Sequence, residues 1–187
     1  MGRKQKIALT FFIICIFILL IIVGGYMFVK TRYPLKYEDY IMKYAEEYHL
    51  DPYFVCSIIW TESKFDPEVV SSRGAVGLMQ IMPDTGKWIA GKLGMEDFEE
   101  ENLHDPETNI QMGCWYLKFL SDKFDGDTTK IAAAYNAGHN RVSEWMTDPE
   151  HSADGETLDN IPFEETKNYV ERERQSYEIY KFLYKLA

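Results

Sequence analysis

The chain has 187 residues, 46% of them hydrophobic, with 30 acidic residues against 20 basic ones and a formal net charge of −10. That length supports one globular domain with its own core once any membrane segment is set aside. Three basic residues precede an apolar N-terminal segment and every acidic residue follows it, so the remainder sets 17 basic residues against 30 acidic ones; its net charge of −13 argues against nucleic acid or anionic lipid as a partner.

The apolar segment runs over residues 7–29, uncharged and interrupted only by the polar Thr10, and matches the span of a hydrocarbon core. It predicts one transmembrane helix. Arg3, Lys4 and Lys6 stand before it with the free amino terminus, and only Lys30 and Arg32 follow closely, so the positive-inside bias places residues 1–6 in the cytoplasm and the rest outside. The expectation is a single-pass protein of the cell membrane. A cleavable signal peptide is the alternative, but its apolar region would be shorter, and Gly24-Gly25-Tyr26 makes a poor cleavage site. Cys15 lacks the small residues that precede a lipidated cysteine. Residues 30–36 form a short tether that keeps a body of residues 37–187 close to the bilayer.

In the body, Tyr40, Ile41, Tyr44, Ala45 and Tyr48 fall on one helical face and predict a helix from Tyr37 to His49. Asp51 then caps a second helix with Pro52 at its first position, and its apolar stripe of Phe54, Val55, Ile58 and Ile59 leads to Glu62 near the C-terminal end. From Ser63 to Gly77 the periodicity dissolves into Pro, Ser and Gly, and Leu78 to Met82 is a short apolar run closed by Pro83. We read this stretch as an active-site loop. Helices follow from Asp84 to Leu93, from Asp105-Pro106 to about Gly126, over Thr129 to Asn136 and Val142 to Met146, and from Pro162 towards the C-terminus, with Asp148 to Asn160 as loop. Strand alternation is not found, and the fold is read as mainly α. Cys56 and Cys114 sit in helices among apolar neighbours, which favours buried thiols over a disulfide.

Glu62 follows Ile58-Ile59-Trp60-Thr61, apolar surroundings in which desolvation keeps a carboxyl protonated, as glycosidic bond cleavage requires of its acid. Taken alone, a glutamate at a helix end is more often a solvated carboxylate. The nearest second carboxylate, Asp66, precedes Pro67 and reads as a turn former rather than a nucleophile. Gly74 and Gly77 would let backbone approach a sugar closely, and Gln80 offers a donor and an acceptor to an acetamido group. Trp60, Trp88, Trp115 and Trp145 could stack on sugars, although helical aromatics usually fill cores. Asp125-Gly126-Asp127 has too few oxygen ligands for a calcium loop and the four histidines lack zinc-site spacing, so no metal or cofactor is expected.

Thr61-Glu62-Ser63-Lys64-Phe65-Asp66-Pro67, Ser71, the run Gly74-Ala75-Val76-Gly77-Leu78-Met79-Gln80-Ile81-Met82-Pro83, Asp105-Pro106 with Asn109-Ile110 and Gly113, Ala133-Ala134-Tyr135-Asn136-Ala137-Gly138, and Ile161-Pro162-Phe163 with Glu165-Thr166 and Tyr169-Val170 occur in that order. This series resembles the lytic transglycosylases of the soluble-transglycosylase (SLT) type, which share a fold with goose-type lysozyme. It covers about 140 residues and is far more specific than any lone motif. The resemblance implies a lysozyme-like helical domain, here preceded by one transmembrane helix.

The resemblance also implies that Glu62 is the acid, and later the base, cutting between N-acetylmuramic acid and N-acetylglucosamine in peptidoglycan glycan strands. The sugar's 6-hydroxyl then closes on C1 to leave a 1,6-anhydro end without consuming water. It implies substrate-binding roles for Ser71 beside the muramic acid, Gln80, Met82 in the cleft lining, Tyr135 with its hydroxyl aimed at the acid and sugar, Asn136 in support of its loop, and Glu165 and Tyr169 on one wall. Ser72 is an ordinary loop residue on this alignment. Two positions depart from the pattern: Glu173 stands where an apolar residue is usual, and Asn140 where glycine is common. Two other readings remain beside the transglycosylase: a lysozyme-like hydrolase on the same fold, and a non-catalytic wall-binding component of cell-wall or secretion machinery.

Overall fold

Four helices of the body begin where an aspartate satisfies a free amide of the first turn or a proline removes one. In the computed structural model, which describes residues 2–186 without the side chains of residues 6–8, three aspartates do this directly. Asp51 accepts from the Tyr53 amide ahead of α3 (Pro52–Ser63), Asp105 from Thr108 ahead of α5 (Pro106–Lys123), and Asp127 from Lys130 ahead of α6 (Thr128–Ala137). The other helices of the body are α2 (Glu38–Glu47), α4 (Pro83–Leu93), α7 (His139–Trp145) and α8 (Glu164–Leu183), with a 3-10 helix over Glu100–His104. Among the described residues no strand forms; Val76 alone makes isolated bridges to Val70 and Ile81.

The chain divides into two units, Met1–Pro34 and Leu35–Ala187. The first holds α1 (Arg3–Arg32), which presents large apolar side chains such as Phe11, Phe17 and Leu20 on all sides. A helix apolar around its whole circumference suits a lipid environment. It is the one helix among the described residues long and apolar enough to cross a membrane.

In the second unit α3 is the central helix. Its Val55, Cys56, Ser57, Ile58 and Ile59 are fully buried, and α8 is the helix packed against it most extensively. The small run Ala132–Ala134, also fully buried, lets α6 approach closely, so α3, α6 and α8 form one packed group. Cys56 and Cys114 are free, buried thiols.

Several boundaries differ from the sequence expectation. Helix α7 begins at His139 rather than Val142, directly after Gly138, whose φ of +92° suits glycine and ends α6. Helix α8 begins at Glu164, two residues beyond Pro162. The 3-10 helix carries no apolar periodicity and was not anticipated.

Candidate active site

The last turn of α3 delivers Glu62, and the chain then leaves the helix through two successive left-handed residues, Lys64 and Phe65. Phe65 is fully buried against Tyr180 and over-determines this uncommon backbone. Ser63 donates from its hydroxyl to the carbonyl of Leu78, 2.8 Å away, tying the helix end to the loop that follows.

That loop forms the opposite wall of a cleft and is held from behind by a buried asparagine of α5. Asn109 accepts from the Met79 amide at 2.8 Å and donates to the carbonyls of Val76 and Leu103 at 3.1 and 2.7 Å. Gly77, at φ +79°, must be glycine because a Cβ there would lie 2.3 Å from the Leu103 carbonyl and 2.4 Å from the Asn109 amide nitrogen. Close approach is thus the reason for this glycine, but the partner is the Asn109 contact rather than a sugar. Gln80 adopts φ +49° and donates from its side-chain nitrogen to the carbonyls of Val69 and Gly77, leaving its side-chain oxygen as the group able to meet a ligand. The Ser71 hydroxyl accepts from the Ala75 amide at 2.9 Å, retaining its own hydrogen to donate.

Glu62, Ser71, Gln80, Met82, Tyr135, Asn136 and Glu165 line a single open cleft of about 500 Å³. Met82 is 42% exposed there, which removes core filling as its role. Tyr169 lies beneath the cleft, buried, and donates its hydroxyl hydrogen to Glu62 Oε1 at 2.8 Å. Tyr135 departs from the expected arrangement. Its hydroxyl donates to the Met79 carbonyl at 2.8 Å, so the phenol that bonds the glutamate is Tyr169 of α8. Asn136 accepts from the Thr166 hydroxyl at 2.8 Å, fastening the end of α6 to α8.

Asp66 is absent from the cleft lining and accepts from the Glu68 amide, an Asx turn that folds the loop back. Ser72, read from the sequence as an ordinary loop residue, lines the cleft beside Ser71, as do Ala75 and Arg73, which the sequence did not mark as site residues, and Arg73 reaches Glu165 at 3.5 Å across the rim. A basic residue in a glycine-rich loop of an acidic body was the available signal for Arg73. None of the four tryptophans lines the cleft. Trp88, Trp115 and Phe119 pack edge to face and stacked with one another, and Trp145 is buried against Phe163.

Burial pushes the Glu62 carboxyl up to about 7, overcoming the opposite pull of the Tyr169 hydrogen bond and the Arg172 and Lys64 charges. Since Tyr169 occupies Oε1, the proton of the neutral acid belongs on Oε2, the oxygen left for the cleft. Among the described residues no cluster of three or more candidate metal ligands occurs.

Fold and site together define a lysozyme-like helical domain built around one half-buried glutamic acid. The chain belongs to the Transglycosylase SLT domain family, whose sequence profile matches residues 39–157. It is 35% identical over 143 residues to the soluble lytic murein transglycosylase of Escherichia coli K12, covering 75% of this chain and 22% of that protein. Membrane-bound lytic murein transglycosylase C of Actinobacillus pleuropneumoniae is 33% identical over 129 residues, 64% of this chain and 34% of the relative. Among solved structures, an inactive mutant of the lytic transglycosylase Slt of Pseudomonas aeruginosa, with one glutamate changed to glutamine, matches with a TM-score of 0.72 and 32% identity, over 83% of this chain and 25% of that one. The 70 kDa soluble enzyme of Escherichia coli in complex with bulgecin A gives a TM-score of 0.74 over 82% and 25%. The chain thus spans about a quarter or less of the length of the soluble relatives it matches.

Proposed function

We propose that this protein is a peptidoglycan lytic transglycosylase with Glu62 as its acid and base. The observation that carries the reading is Glu62 itself: a carboxyl raised by burial to about 7, held by Tyr169 and facing a cleft lined by Ser71, Gln80, Met82 and Tyr135. A raised acid is loaded with its proton near neutrality and still strong enough to release it. The family membership and the inactivity of the glutamate-to-glutamine relative support it.

In this reading Glu62 Oε2 gives its proton to the oxygen bridging N-acetylmuramic acid and N-acetylglucosamine. The C1–O bond breaks with help from the muramic acetamido group. The Tyr169 hydrogen bond, which favours the anion, strengthens on Oε1 as Glu62 becomes a carboxylate. That carboxylate then takes the proton of the muramic 6-hydroxyl as its oxygen closes on C1, giving a 1,6-anhydro end and returning Glu62 to its starting form. Glu165 is a rim carboxylate, solvated and paired with Arg73, and has no proton-transfer part. Since protonated Glu62 is the working form, activity falls as pH rises through about 7.

The N-terminal part of the proposal is an anchor. Residues 1–6 are cytoplasmic, α1 crosses the cell membrane over residues 7–29, and residues 30–36 tether the domain of residues 37–187 on the outer side. Other cell-wall or secretion machinery would be partners met there.

The test is mass spectrometry of products from purified peptidoglycan. The wild type should release 1,6-anhydro-muramic ends, and Glu62→Gln should lower the rate by about 10³-fold or more. Reducing ends carrying oxygen from labelled water would show a hydrolase instead, and wall binding without any soluble product would show a non-catalytic module.

A further inference from the structure

One turn beyond Tyr169 on α8, a second glutamate is buried in the same helix interface. Glu173 is 4% exposed, and its Oε1 lies 2.6 Å from the hydroxyl of Ser57 on α3. The same hydroxyl lies 2.8 Å from the carbonyl of Phe54. A serine has one hydrogen to give, and a backbone carbonyl can only accept. The Phe54 carbonyl also accepts from the Ile58 amide within α3, so the Ser57 hydrogen can stay on Phe54 while its oxygen accepts from a protonated Glu173, an arrangement that leaves none of the three oxygens unpaired and puts no charge in the interface.

We propose that Glu173 is a positioning residue: protonated, it clasps α8 to α3 through Ser57 and thereby keeps the Tyr169 hydroxyl on Glu62. The inference rests on the reading of Glu62 as the acid.

The surroundings of Glu173 agree with a neutral group. Packed against it, α3 offers Ser57 and Phe54 and α6 offers Thr128, none of them charged. On α8 the neighbouring cation is Arg174, whose guanidinium already bonds Glu171 at 2.9 to 3.2 Å, while Tyr177 and the acidic Glu178 share its small cavity. Tyr177 is in turn bonded to Asp51 at the start of α3. Burial raises the Glu173 carboxyl to about 7, with Ser57 and Arg174 pulling the other way. Above neutrality the interface therefore acquires a buried anion beside Tyr169 with no free cation to meet it. Ser57 must then turn its hydrogen from Phe54 to Glu173, and the desolvated anion weakens the packing of α8 on α3.

Two protons rather than one are thus needed for full activity, which separates this role from simple packing. The experiment is the pH dependence of kcat between about pH 5 and 9 for the wild type and Glu173→Gln, whose amide can still donate to Ser57 but cannot ionise. The wild-type alkaline limb should steepen towards a loss of two protons, and the variant's should follow one and lie at higher pH. Superimposed limbs overturn the clasp, whereas a wild type that yields no 1,6-anhydro product at any pH overturns the transglycosylase reading instead. Infrared spectra of Glu62→Gln decide the protonation independently of turnover. One buried carboxylic-acid carbonyl band should persist at about pH 6 and disappear by about pH 9. Its absence at the lower pH overturns the proposal even if Glu173→Gln does not fold.

Discussion

The floor and the rim of the cleft treat the same side chain in opposite ways. On the floor, Glu62 is drawn out of water between α3 and α8 and fixed by one short hydrogen bond from a buried tyrosine. At the rim, Glu165 is 64% exposed and meets Arg73, itself 78% exposed, at 3.5 Å. In low dielectric an unpaired carboxyl changes its protonation, whereas in water an ion pair is worth roughly 0–1 kcal/mol and salt screens it. In the proposed mechanism the proton chemistry therefore belongs on the floor, and the rim pair adds little to the stability of the fold.

The largest disturbance of that contrast should come from neither carboxylate but from the residue behind the loop. Asn109→Ala takes the side-chain partner from the Met79 amide and the Leu103 carbonyl and leaves the Val76 carbonyl only its bond from the Ile81 amide, all in the interior, and should destabilise the protein by about 3–5 kcal/mol in urea denaturation, with loss of activity. A value below about 1 kcal/mol would mean that water replaces the asparagine and that the loop is not pinned from within. Tyr169→Phe comes next. Losing the donor that favours the Glu62 anion should lower kcat about tenfold and move its alkaline limb to higher pH, because the acid then holds its proton longer. A limb that moves to lower pH would show that the tyrosine does not act on this carboxyl. Arg73→Ala should be the mildest, changing stability by less than about 0.5 kcal/mol and KM by a few-fold with kcat kept. A large fall in kcat would move the chemistry towards the rim.

The helices were legible wherever a start signal is local. Asp51-Pro52 and Asp105-Pro106 announce α3 and α5 because an aspartate cap and a proline at the first position act through the nearest backbone. Pro162 is the counterexample, since the helix waits until Glu164. The gathering of Glu62, Ser71, Gln80 and Tyr135 around one cleft follows the order of motifs along the chain. Which phenol bonds Glu62 does not, because it depends on how α8 lies against α3. Tyr135 and Tyr169 are equivalent as sequence, and only the packed structure turns one towards Met79 and the other towards Glu62. The meaning of Gly77 was hidden for the same reason: its neighbour Asn109 is more than thirty positions away.

The two interior cysteines carry a consequence for how this protein ages. Cys56 on α3 and Cys114 on α5 are fully buried, and burial pushes both thiols far above their ordinary ionisation range. Without thiolate they cannot attack a disulfide, an oxidant or an alkylating reagent. Towards oxidants they stay silent as long as the helices stay together, and they become reactive only in a molecule that has opened.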